Sequence, residues 1–135
     1  MGQYHVVVNL DKKEYLYSHD FGDGLKLREF GESAGGMMTG LAYLLAVSNG
    51  RGGGDVHSSD PIIGSWGGDR IAIVGDYAAD TDLPAEYEAS TIFDRCYSGE
   101  YKNVGAAILR VMDPRDRSRF GGPMLRPDMV VTVNG

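Results

Sequence analysis

Apolar and polar residues alternate along four short segments, and each alternation predicts a β-strand. Residues 4–10 place apolar side chains at every second position, and residues 14–18 resume the alternation after a polar turn. The two segments together predict an N-terminal hairpin. Residues 25–27 predict a short third strand, and residues 70–77 form the clearest strand pattern in the chain.

Apolar residues recur at helical spacing in three further segments. Residues 33–48 show the strongest pattern, and because it is apolar on nearly all sides it predicts a central helix (about 34–48) buried on most of its surface. Residues 85–97 predict a second helix, which begins directly after Pro84. Residues 101–112 predict a third.

The end of the chain departs from both patterns. Residues 113–128 are polar and rich in Arg, Gly and Pro, which predicts a loop, and residues 129–133 predict a terminal strand. The order of strands, core helix, strand, two helices and strand is typical of an α+β fold with a mixed or antiparallel sheet. With 135 residues, of which 42% are hydrophobic, the chain is expected to form a single domain over 1–135.

Composition and charge exclude several classes of protein. Nineteen acidic residues against 13 Lys and Arg give a net charge of −6, which argues against nucleic-acid binding through a basic face. No run approaches the roughly 18 apolar residues of a membrane span, and the N-terminus lacks the order of a signal peptide. The single cysteine excludes an internal disulfide and predicts a reducing compartment, so we expect a cytoplasmic protein without a membrane partner.

Glycine is unusually frequent, at 20 residues, and residues 50–55 (GRGGGD) concentrate it after the central helix. Successive glycine amides can point into one concavity, a nest that binds anions, and a neighbouring guanidinium would strengthen it. The alternative interpretation is a flexible linker. The candidate anion-binding residues of this segment are Arg51, Gly52, Gly53, Gly54 and Asp55.

Four residues farther along complete the candidate ligand site. Trp66 or Tyr77 would stack on a ring, although burial of Trp66 in the core is the favoured alternative. Asp69 would accept a hydrogen bond from a sugar or a ring, and Arg70 beside it belongs to the same predicted site. The competing interpretation of Asp69 is that a Gly-Asp pair closes a turn.

The remaining reactive residue types indicate no known catalytic site. None of the three histidines stands at a zinc-ligand spacing, no nucleophile motif is present, and no cofactor is indicated. His5 shares a strand face with Val7 and Asn9, which predicts an exposed or half-exposed polar face. Cys96 lies on an apolar helical stripe and is predicted to be a core residue.

Four strings occur in the same order as in a known group of proteins: MGQY..VVNLDKKEY, H..G.GLKL, GRGGGD and GSWGGDRIAIVGDY. Across residues 1–77 the chain resembles a family of small uncharacterised actinobacterial and phage proteins. The resemblance implies the cytoplasm of a bacterium or of an infected host cell, without an established activity. The polar positions that it singles out are Asn9, Asp11, Lys12, His19, Lys26, Glu29, Arg51, Asp55, Trp66, Asp69 and Asp76.

These observations favour a small binding protein, expected to be a homo-oligomer, that holds an anionic small molecule such as a nucleotide. A phage-encoded protein of this kind would sequester a host nucleotide. One alternative is a phosphoester hydrolase in which Asp55 and Asp69, with His57, hold a divalent ion. Another is a self-assembling, virion-associated subunit whose residues 129–133 pair with a neighbour's sheet edge.

Overall fold

The chain forms an α+β domain, seen in a computed structural model that describes residues 2–112. The predicted fold class is thereby confirmed. The segments predicted at 113–128 and 129–133 lie outside the described residues. The elements, in chain order, are β1 (His5–Asn9), β2 (Glu14–Leu16), α1 (Leu27–Gly31), α2 (Met37–Leu45), β3 (Ile71–Gly75), α3 (Ala89–Tyr97), β4 (Lys102–Asn103) and α4 (Gly105–Leu109). Within residues 2–112, no helix combines the length and the apolar character that crossing a membrane requires.

Among residues 2–112, the sheet has four strands in the order β3-β1-β2-β4. β1 is antiparallel to both neighbours, with Val7 opposite Leu16 on one side and Ile73 on the other. The short β4 joins β2 in parallel, so the sheet is mixed. The N-terminal hairpin and the strand predicted over 70–77 are both present, and that strand forms one edge of the sheet.

Both faces of the sheet are covered by helices, which corrects the expectation of a polar face on β1. Val7 and Asn9 are fully buried, because α1, α2 and α4 pack on their side of the sheet. On the opposite face, Val6 and Val8 pack against Ile92 of α3. One polar position among apolar ones on a short strand therefore marks a buried hydrogen-bonding residue here, and not a solvent-facing side.

α2 is shorter and less enclosed than the pattern predicts. It spans Met37–Leu45 in place of residues 33–48, and Met37, Leu41 and Leu44 face the core. Leu45 is 37% exposed and Val47, beyond the helix end, is 69% exposed. The all-round apolar pattern therefore overstated the burial, since only one face of α2 meets the sheet.

Three other predicted elements differ from the structure in type or in where they begin. Residues 25–27 do not form a strand; α1 begins at Leu27, where the Glu29 carboxylate accepts the backbone N–H of Lys26 at 3.0 Å and starts a helical turn. The third predicted helix begins late, because Lys102 and Asn103 pair with β2 before α4 starts. The helix predicted over 85–97 begins as a 3-10 turn and becomes α-helical at Ala89.

Candidate functional site

Residues 50–55, here called the glycine loop, form a closed loop that leaves the end of α2. Its two flanks are joined by a reciprocal pair of hydrogen bonds: Asn49 Nδ2 donates to the carbonyl of Val56 at 2.9 Å, and Val56 N–H donates to Asn49 Oδ1 at 2.8 Å. Such closure is typical of a compact surface loop. These contacts favour a compact loop over the flexible-linker interpretation of this segment.

A backbone nest is present in the glycine loop, but residues 50–52 form it and not the predicted Gly52–Gly54 run, and the anion that it holds is the chain's own Asp55. Asp55 Oδ2 accepts hydrogen bonds from the amides of Gly50, Arg51 and Gly52 at 2.8, 2.9 and 3.1 Å. The amides of Gly52, Arg51 and Gly50, in that order, lower the pKa of the Asp55 carboxyl below its ordinary value. A phosphate cannot occupy this nest unless Asp55 leaves, which corrects the predicted role of the Gly52 amide.

The Asp55 contact is expected to weaken in acid. Its folded-state pKa lies below the ordinary value of 3.8, so the stabilising interaction is complete above that value and is lost as the pH falls through the folded-state pKa. In an NMR pH titration, the amide resonances of Gly50, Arg51 and Gly52 should shift together with a midpoint below 3.8. Asp55→Asn should remove that transition, and a midpoint at or above 3.8 would contradict the contact.

A cleft of about 390 Å³, here called the α2 cleft, lies beside the glycine loop. Its walls come from the segment that follows α2 and from residues 58–64. Two backbone hydrogen bonds anchor the second wall to the end of α2: Gly64 N–H donates to the carbonyl of Tyr43 and Trp66 N–H to that of Leu44, both at 2.9 Å. The polar residues that line the cleft are Ser48, Asn49, Arg51, Ser58, Ser59 and Asp60.

The α2 cleft holds one positive and one negative side chain. Arg51 is exposed, and within residues 2–112 its guanidinium forms no ion pair. Asp60 Oδ1 accepts the backbone N–H of Ile62 at 2.9 Å, and Ser58 Oγ accepts that of Asp60 at 3.1 Å. Arg51 was predicted as a site residue, whereas Ser58, Ser59 and Asp60 were not; the polar run SSDP after the glycine loop is the signal that marks them.

Trp66 lies in the core and not in a ligand site. Its side chain is fully buried, and Nε1–H donates to Glu14 Oε1 at 2.7 Å. The favoured interpretation, burial, is confirmed, and the predicted stacking role of Trp66 is wrong because neither face of the ring reaches solvent.

Asp69 is engaged by the N-terminal hairpin. Asn9 Nδ2 donates to Asp69 Oδ2 at 2.8 Å, and the Lys12 ammonium pairs with the same oxygen. Lys12 and Asn9 lower the pKa of the Asp69 carboxyl. Asp69 therefore neutralises the charge of Lys12 and anchors the hairpin turn. These contacts give it a structural role, and its predicted hydrogen bond to a sugar or ring has no support.

Arg70 and Tyr77 flank β3 at opposite ends. Arg70 Nε donates to Asp11 Oδ1 at 3.0 Å, and its guanidinium lies 5.6 Å from the ring centroid of Tyr87. Tyr77 is 60% exposed, about 20 Å from Arg70 at the rise of a strand. The predicted site is thus divided: the glycine loop, the hairpin end of β3 and the far end of β3 are three separate places.

The hydrolase alternative requires a metal ion held at Asp55 and Asp69. Within residues 2–112, no three side chains of His, Cys, Asp or Glu lie close enough together to hold a metal ion. Asp55 accepts hydrogen bonds from three backbone amides of the glycine loop, and Asp69 binds Asn9 and Lys12. Cys96 is buried, as predicted, and burial raises the pKa of its thiol to about 12, so the thiol stays protonated at neutral pH.

No protein-family model, curated protein or solved structure matches this chain. The resemblance to actinobacterial and phage proteins remains a prediction.

Proposed function

We propose that this chain is a small-molecule-binding protein whose site is the α2 cleft, and that its ligand carries an anionic group held by Arg51. The observation that carries the proposal is an exposed guanidinium, unpaired among the described residues, at a cleft lined by hydroxyl and carboxylate groups. Arginine presents its donors in a planar fork that matches phosphate and carboxylate oxygens. The volume of about 390 Å³ lies at the lower end of the range for small-molecule sites.

The loop architecture supports Arg51 as a positioned group. Asp55 fixes the backbone amide of Arg51 at 2.9 Å, and the Asn49–Val56 pair closes the loop around it. Ordering a loop before the ligand arrives reduces the entropic cost of binding. In this proposal the glycine loop contributes by holding the backbone of Arg51 in place, while the amides of residues 50–52 bind Asp55.

A nucleotide is the ligand class that matches both charges of the cleft. Its phosphate would meet Arg51, while sugar hydroxyls or a base amino group would donate to Asp60 and exchange hydrogen bonds with Ser58 and Ser59. The net charge of −6 gives no long-range attraction for an anion, so affinity depends on these local contacts. Sequestration of a nucleotide in the cytoplasm of a bacterium or an infected cell belongs to the same proposal.

Arg51→Ala is expected to weaken nucleotide binding by about 1.5–3 kcal/mol, roughly 10- to 100-fold, because it removes a charged hydrogen-bonding group. Isothermal titration calorimetry with adenosine and guanosine 5′-diphosphate measures this change. Arg28→Ala is the matched control, since Arg28 is exposed on α1 and, among residues 2–112, forms its ion pair with Glu32 directly after that helix. Absence of binding by both nucleotides, or equal affinity in Arg51→Ala and the unmodified chain, would overturn the proposal.

A further inference from the structure

β3 is an edge strand, and the hydrogen bonds at its two ends show which of its residues face β1. Leu10 N–H donates to the carbonyl of Arg70 at 2.8 Å, and Asp76 N–H donates to that of Tyr4 at 2.8 Å. Hydrogen-bonded pairs alternate along an antiparallel ladder. Every even-numbered residue of β3 therefore directs its backbone N–H and C=O groups toward β1. The odd-numbered residues direct their N–H and C=O groups away from the sheet.

The outward edge of β3 is unpaired within residues 2–112. There the backbone groups of Ile71 and Ile73 have no hydrogen-bond partner, while the carbonyl of Gly75 accepts only from Ala78, at 3.2 Å. The Ile73 side chain is 41% exposed. The strand sequence IAIVG contains neither proline nor a charged residue, the residue types that protect free sheet edges from association.

We propose that this edge is a homodimer interface, in which β3 pairs antiparallel with β3 of a second copy and Ile73 lies on the two-fold axis. A strand edge that meets its own copy antiparallel satisfies two-fold symmetry, so one surface serves both chains. The two Ile73 residues become direct neighbours across the axis, where apolar cross-strand pairs stabilise a sheet. The two four-stranded sheets join into one continuous sheet. This interface is independent of the proposed ligand site.

Charge complementarity selects the second copy as the occupant and fixes the register. Pairing centred on Ile73 places Arg70 opposite Asp76 of the second copy, and symmetry repeats the pair at the other end. Both residues keep free groups for it, because Arg70 uses Nε for Asp11 and Asp76 uses Oδ1 for the Tyr4 amide. Centring on Ile71 or Gly75 would lose this pair. A strand edge buries less than the roughly 1,200 Å² of a stable interface, so the dimer is expected to be weak and concentration-dependent.

Disulfide trapping tests the register. Ile73→Cys should form a covalent dimer on mild oxidation, because residues opposite each other in a hydrogen-bonded antiparallel pair have Cα atoms about 5.5 Å apart, within disulfide range. Cys96 is buried and does not compete. Lys102→Cys is the control, since Lys102 is exposed on β4 at the opposite edge of the sheet. Equal trapping of both variants, or none of Ile73→Cys, would overturn the proposal.

A charge on the edge tests the same interface without a covalent bond. Sedimentation velocity of the unmodified full chain should show a monomer–dimer equilibrium that shifts with concentration, and Ile73→Lys should remain monomeric. Circular dichroism checks that Ile73→Lys is folded; where it is not, the trapping result decides. A monomer at every concentration, or a dimer that survives a folded Ile73→Lys, would contradict β3 pairing.

Discussion

Replacement of Gly64 by alanine is expected to lower the free energy of unfolding by about 3 kcal/mol, because strain and steric overlap add at this position. Gly64 has a φ of +80°, in the left-handed region that side chains disfavour. A Cβ there would lie 2.5 Å from the carbonyl oxygen of Ala46, which is backbone and cannot rotate away. To relieve this overlap, either the segment that carries the buried Trp66 or the end of α2 must move.

Gly68→Ala is the matched control for this substitution. Gly68 has a φ of +83°, but a Cβ there meets open space, so only the conformational cost of about 1 kcal/mol is expected. Urea unfolding of the two variants measures the difference. Equal losses would show that the overlap with Ala46 does not contribute, and that segment 58–64 is not fixed against α2 as described.

The second large effect is expected for Asn9→Ala, at about 3 kcal/mol, because a fully buried amide would lose three partners. Asn9 Oδ1 accepts the backbone N–H groups of Asp11 at 3.0 Å and Lys12 at 2.8 Å, which forms the hairpin turn. Its Nδ2 donates to Asp69 at 2.8 Å and so ties that turn to the start of β3. The truncated residue leaves those groups short of partners beside the core.

Asn103→Ala provides the comparison for Asn9. Asn103 also uses both ends of its amide, donating to Asp20 at 2.9 Å and accepting from Gly105 N–H at 2.7 Å, but it is exposed and water can replace these bonds. We expect a loss of about 1 kcal/mol or less. Chemical denaturation compares the two variants, and a loss for Asn9→Ala no larger than that for Asn103→Ala would contradict the structural role of Asn9.

Alternation along the chain was sufficient to predict β1, β2 and β3, but not β4 or which surfaces of the sheet are covered. The pattern correctly predicted which residues of β1 lie on the same face, since Val6 and Val8 do share one face. Val7 alone could not show that α1, α2 and α4 cover the other face, because helix packing depends on residues far away in sequence. At Leu27, three alternating residues predicted a strand, yet the Glu29 carboxylate on the Lys26 amide favours a helical turn.

The glycine loop shows why the predicted site was only partly correct. The consecutive glycines indicated a nest of the Gly52–Gly54 amides, whereas the amides of residues 50–52 form it and Asp55 fills it. Asp55 follows Gly52 by three residues, close enough for its side chain to fold back onto the amides. The same contact leaves the Arg51 side chain at the cleft, and of the predicted phosphate-binding groups Arg51 is the one that the proposed site retains.

Amide NMR mapping of a nucleotide titration tests the α2 cleft most directly. Guanosine 5′-diphosphate is added to the isotope-labelled full chain, and the chemical shifts of every assigned amide are followed. We expect the largest changes in residues 46–51 and 58–64, with little change around Tyr77, and loss of these changes in Arg51→Ala. Shifts centred on residues 69–77, or the same response in Arg51→Ala, would contradict the α2 cleft as the binding site.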